Sequence, residues 1–193
     1  YQRQIALTRE GFDSAVDLHW DFAADPLPFP LAPAELWNRL TSVTIGGRQI
    51  PALANEALAL LLAGHGTKEA WQNLVWVCDF AMLVERGPEL DWRHVYERAR
   101  ARHSGDSVLL AFRMANRLLA TQVPPWIDQL IARRPRVSAA AERLLVGLRR
   151  GDLQAPVRPH LQDTLLCDRL GDRAWSSVKL TLRPTPSDYS ALP

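Results

Sequence analysis

The sequence predicts a mainly α-helical protein, a helical domain following a small β-hairpin, and three observations carry that prediction. From Asn55 to Arg150 apolar residues recur at helical spacing, interrupted only by short polar or Gly-Pro stretches. Residues 1–9 and 14–20 alternate apolar and polar side chains on either side of Gly11. Between these parts, residues 24–33 hold four prolines and read as an extended linker. Two strands alone are marginal in water, so the hairpin is expected to belong to a larger sheet, most of it before residue 1.

Taken in order, the elements divide the chain into three. Residues 1–31 are read as terminal strands plus linker, 32–150 as the helical domain and 151–193 as an extended proline-rich tail. After the linker, "AELWNRL" is a short helix and "SVTIGGRQI" a hairpin with Gly46-Gly47 as its turn. Helices are expected at about 56–68, 70–86, 92–102, 106–120, 125–133 and 138–150. Asn55, Asp91 and Ser138 are the expected N-caps, and Gly87-Pro88 ends the second helix of that series. The tail carries five prolines and one candidate strand, "SSVKLTL".

Composition excludes several classes of function. The net charge of +2 is too small to imply nucleic acid or an anionic membrane as partner, and the one basic cluster, Arg133, Arg134 and Arg136, reads as solvated surface. No stretch of 18 apolar residues is present, so no membrane span is predicted. Cys78 and Cys167 are too far apart for a metal spacing, and two cysteines do not make a disulfide framework, so a reducing cytoplasm is the expected setting. The chain opens inside a predicted strand without an initiator Met, which leads to the expectation of a fragment. Of 23 cations only Lys68 and Lys179 are lysines, so a lysine within an apolar helix stands out.

Three constellations are candidates for chemistry. In "AVDLHW", alternation places Val16, Leu18 and Trp20 on one strand face and Asp17 and His19 on the other. The carboxylate can hold Mg²⁺ or orient the neighbouring imidazole, or the two simply form the wet face of an antiparallel sheet. In "GHGTKEAW", His65 and Lys68 continue the apolar stripe of Leu58, Leu61 and Leu62, so they face inward. Gly64 and Gly66 flank His65 and permit close approach of a backbone or a ligand. The alternative is a satisfied core histidine with a snorkelling lysine. Asp79, amid apolar residues, is expected to be a buried, paired acid. Trp71, Trp76 and Trp92 fit core positions, and His94, His103 and His160 have no partner at ligand spacing.

The stretches "VDLHW", "LWNRL", "LLLAGHGTKEAWQNLVWVCDFAML" and "LDWRHVYERAR", spanning about residues 14–102, resemble the C-terminal part of a bacterial family of uncharacterised nucleotidyltransferases of the polymerase-beta-like fold. The resemblance implies a nucleotidyltransferase-type sheet whose carboxylates hold Mg²⁺. It implies transfer of a nucleoside monophosphate from a nucleoside triphosphate to a hydroxyl acceptor. On it, Asp17 takes the place of the third catalytic and metal-binding carboxylate, and His19 lies beside it. His65 and Lys68 face the nucleotide or the acceptor. The chain departs from the pattern in lacking the Gly-Ser turn and the Asp-x-Asp strand, and in carrying Glu69 where relatives often have histidine. It is therefore expected to be inactive alone, its N-terminal catalytic region missing. The other reading is a non-catalytic helical binding or protein-interaction module.

Overall fold

The computed structural model describes residues 4–11, 15–22, 28–37, 40–87, 89–150 and 167–182. It is mainly helical, with two separate antiparallel hairpins, as the sequence predicts. Strands β1 (Gln4–Thr8) and β2 (Ala15–His19) pair with Ala6 opposite Asp17 and Gln4 opposite His19. Helix α1 (Pro33–Trp37) precedes β3 (Leu40–Ile45) and β4 (Arg48–Leu53), which are joined at Gly46-Gly47. Both glycines have positive φ, 55° and 76°, as the tight two-residue hairpin turn requires.

The helices follow as α2 (Asn55–Lys68), α3 (Leu74–Arg86), α4 (Trp92–Ala101), α5 (Gly105–Leu119), α6 (Pro125–Ala132), α7 (Pro135–Arg150) and α8 (Leu170–Leu182). Helix α5 is the hub, touching α2, α3, α4, α6 and α7. It is buried from Gly105 through Phe112, and its apolar residues meet an aromatic group of Phe80, Trp92 and Phe112. The proline-rich stretch is more than a linker. Phe29 and Leu31 enter the core, and Arg98 of α4 with Arg102 just past its end grip the segment through Glu35 and the Phe29 carbonyl. No helix of the described residues is long and apolar enough to cross a membrane.

Several local expectations change. Asn55 is already helical and makes no cap; extended Ala54 precedes it. The second long helix begins at Leu74 instead of 70, with Asn73 accepting from the Val75 N–H. Asp91 caps α4 as expected, whereas α7 starts at Pro135, where a missing N–H costs nothing, and not at Ser138. "SSVKLTL" lies in α8 and is not a strand: no strand pairs with it among the described residues, and a strand needs a partner.

The arginine cluster also differs from expectation. Arg134 and Arg136 are half-buried and pair with the buried Asp106. The N-terminus of α5 has no side-chain cap of its own; the Asp168 carboxylate reaches in and accepts from the N–H groups of Gly105 and Asp106 at 2.8 and 2.9 Å. Arg136 bonds the Asp168 carbonyl, and His103 meets Asp172 at 3.0 Å. Replacing Asp168 with Ala removes the acceptor of two buried donors and should lower stability by about 0.5–2 kcal/mol in chemical denaturation. An unchanged midpoint would mean that water serves those donors equally well.

Candidate functional site

The site is built around the end of α2. Its residues include Ala57, Ala59, Ala63, Gly64 and Gly66, small enough to let neighbouring elements come close. A Cβ at Gly64 would lie 2.5 Å from the Phe29 ring, and one at Gly66 would lie 2.7 Å from the indole of Trp71. The close approach anticipated at these glycines is therefore made by the chain's own aromatics. Trp71 is fully buried there.

That packing determines where α2 stops. The Trp71 N–H donates to the Gly66 carbonyl at 2.7 Å and the Ala70 N–H to the Thr67 carbonyl at 3.1 Å. This is the two-bond helix ending whose first residue past the cap is left-handed. Ala70 and Trp71 both adopt it, at φ 54° and 51°, a conformation costing a non-glycine residue about 1–2 kcal/mol. The helix breaks after Lys68, and Lys68, Glu69 and His65 are set half-buried at its exposed end. Lys68 Nζ lies 3.1 Å from Glu69 Oε1.

His65 is the centre of the group. Its ring meets Trp76 of α3 edge-on at 4.9 Å between centroids. Burial is the main cause that holds its pKa below the usual 6.5; Glu69 opposes this, while the charges of Lys68 and His19 add to it. His19 is thus near enough to act on His65 across the two parts of the chain. The connection between them is aromatic. Phe22, three residues past His19, stacks on Phe29 at 5.4 Å, and Phe29 sits on Gly64, next to His65.

Of the four candidate residues, then, His19, His65 and Lys68 share an electrostatic neighbourhood. Asp17 shares the β2 face with His19, is exposed, and makes no hydrogen bond or ion pair with the described residues. It is a single carboxylate, and no group of three His, Cys, Asp or Glu converges among the described residues. Since Mg²⁺ prefers a near-octahedral set of oxygens, these residues do not by themselves fit a magnesium site. Asp79 is exposed, not a buried paired acid: α3 buries Val77, Phe80 and Ala81, and Asp79 falls on its solvent side. Trp76 and Glu69 are the partners that sequence reasoning missed. A cue for Glu69 was its adjacency to one of the chain's two lysines.

Two clefts of about 640 and 650 Å³ lie elsewhere, one beside Trp92 and Pro125, the other beside Leu74 and Leu148. Neither is lined by any of the four candidate residues. Residues 1–120 match the model of a family described as uncharacterised nucleotidyltransferase. No curated protein and no solved structure matches the chain.

The arrangement around His65 has a pH consequence. The folded imidazole resists a proton that the unfolded one accepts. Its contribution to stability is therefore undiminished above about pH 6.5 and falls as the pH drops below that value. In an NMR titration, Lys68→Met should raise the His65 pKa and Glu69→Gln should lower it. If neither variant moves it, the three side chains do not form one electrostatic group.

Proposed function

The chain belongs to the family of uncharacterised nucleotidyltransferases, and on that premise we propose that it forms the distal part of an enzyme that transfers a nucleoside monophosphate from a nucleoside triphosphate to a hydroxyl acceptor. The observation that carries this reading is the convergence of His19, Lys68 and Glu69 on His65 at the end of α2, within the family-matched residues. An ammonium and a neutral imidazole on the edge of a helical domain suit an anionic phosphate chain. Lys68 supplies a point charge, and His65 supplies one ring N–H and one ring acceptor.

On this reading Asp17 works from the sheet side. Its carboxylate is exposed and free of partners among the described residues, so it is available to take a proton from the acceptor hydroxyl. His19, one position along the same face, would contact the phosphate or the acceptor. Asp17 would also be one carboxylate of a Mg²⁺ site whose remaining ligands come from outside the described residues. The chain has no Asp-x-Asp pair anywhere in its sequence. Catalysis therefore requires a catalytic region beyond these residues, and the chain alone is expected to bind better than it turns over. Both cysteines are free, which suits the reducing cytoplasm where such substrates are held.

A second reading, a helical binding module without catalysis, is favoured by one observation: no carboxylate cluster forms among the described residues. Calorimetric titration of ATP and Mg²⁺ separates the two. Under the enzyme reading, a protein extended upstream binds ATP, and Lys68→Ala weakens that binding about tenfold, roughly the loss of one charge-assisted contact. Unchanged affinity removes Lys68 from the site. Asp17→Asn should abolish turnover of the extended protein while leaving its melting temperature within a degree or so, since the carboxylate supports no contact. A large loss of melting temperature with activity retained would mark Asp17 as structural.

A further inference from the structure

The cleft beside Trp92 lies where four helix ends meet. Helix α3 ends at Arg86, α4 begins at Trp92, α5 ends at Leu119 and α6 begins at Pro125. Ala120 is left-handed at φ 56°, and the Asn116 side-chain amide donates to the Thr121 carbonyl at 3.1 Å. The chain therefore turns sharply out of α5, and residues 122–125 line the cleft. Its volume of about 640 Å³ is that of a small-molecule site. Trp92 is half-buried in it, with Phe80 and Phe112 holding the ring at 5.6 and 4.8 Å between centroids. Val84, Val123 and two prolines supply apolar wall. Glu85 is the one charged side chain among the described lining residues, and it makes no ion pair or hydrogen bond with the described residues. Arg86, its neighbour in sequence, does not line the cleft, and Arg93 is engaged over the Trp126 ring at 4.8 Å.

We infer that this cleft binds an organic cation, a primary ammonium on an apolar stem, held by the Glu85 carboxylate and the Trp92 indole. The balance of donors and acceptors leads there. The N–H groups of Gly87, Trp92 and Ala120 already donate to the carbonyls of Leu83, Leu90 and Asn116. Pro124 and Pro125 carry no N–H at all. An anion in the cleft finds few donors. Acceptors are better supplied, because α3 and α5 both present their carbonyl ends, the negative ends of their dipoles. The Val84 carbonyl has no helical N–H four residues on, since residue 88 is proline. Two positive helix ends meet here as well, but the Asp91 side chain caps α4 and α6 opens on prolines. An indole attracts a cation and not an anion, and a neutral apolar ligand leaves the Glu85 charge unanswered. None of these residues belongs to the group around His65, so the inference stands apart from the phosphate reading.

The test is an NMR titration of the whole chain with three probes of one stem: butylammonium, butanol and butyrate. Butylammonium should shift the Trp92 indole N–H and the amides of Glu85 and Ala120. It should bind about fivefold more tightly than butanol, the fold-change of one exposed charge contact, and butyrate should not bind. Glu85 is exposed, so Glu85→Gln keeps the fold; in that variant butylammonium should bind no better than butanol. Equal binding of the ammonium and the alcohol in the parent overturns the inference. So does a Glu85→Gln variant with parent affinity, or a butylammonium shift pattern that leaves Trp92 and Glu85 unmoved. A fourth probe, the methylamide of N-acetyl-lysine, tells the sources of the cation apart. Binding at least as tight as that of butylammonium, at the same groups, supports the site with a partner protein's lysine side chain as its ligand. Loss of binding with the lysine derivative while butylammonium still binds supports it with a free amine.

Discussion

The contact between Trp71 and Gly66 is the constraint from which most of the site follows. An indole pressed on a helix backbone leaves no room for a Cβ, so residue 66 has to be glycine while Trp71 stays where it is. To bring Trp71 back onto the helix that it has just left, the chain turns through two left-handed residues that are not glycine. That strain is sustained by the complete burial of Trp71 and by two backbone hydrogen bonds that close the helix end. The same turn brings α3 alongside α2, so that Trp76 meets His65 and Phe80 meets Trp71. Lys68 and Glu69 are left at a helix terminus instead of in mid-helix, where neighbours in sequence would point apart.

The hairpin is related to this centre by a chain of aromatic contacts and not by a shared sheet. Both faces of β2 are exposed, and so are Ile5, Leu7, Val16 and Leu18 on its apolar side. What holds its end near α2 is Phe22 on Phe29 and Phe29 on Gly64, with Arg98 and Arg102 clamping the following segment. The two glycines around His65 thus serve two different partners: one receives the segment from the hairpin, the other receives the turn to α3.

Much of this was legible in the sequence, and the misses have a common cause. Helical periodicity from residue 55, the Gly46-Gly47 turn and the Asp91 cap are all local patterns, and local patterns survive folding. The stripe of Leu58, Leu61, Leu62, His65 and Lys68 does not face inward as expected: it is half-buried, and α2 turns Ala59, Leu60, Ala63 and Thr67 to the core instead. Glycines 64 and 66 signalled close approach, but spacing alone does not say what approaches. Asp79 looked buried because its neighbours are apolar, but α3 is amphipathic and Asp79 lies on the side away from Val77, Phe80 and Ala81. Arg134 and Arg136 looked solvated because their partners, Asp106 and Asp168, are distant in sequence. "SSVKLTL" alternates as a strand does, yet alternation has meaning only where another strand is present to pair with it. The functional residues were found as types and positions; their mutual arrangement depended on the turn at Ala70 and Trp71, which no residue type announces.

The capping of α5 by Asp168 imposes an order on synthesis. The carboxylate lies 63 residues downstream of the Gly105 N–H that it accepts. As the chain leaves the ribosome from its N-terminus, the central helix emerges before the carboxylate that caps it, and only water serves its first turn while α6, α7 and the stretch beyond them are made. The family-matched residues end at 120, in sequence before any of the groups that complete this helix end. The nascent domain therefore reaches its final form late, and whatever waits on a closed α5 hub waits for the C-terminal third of the chain.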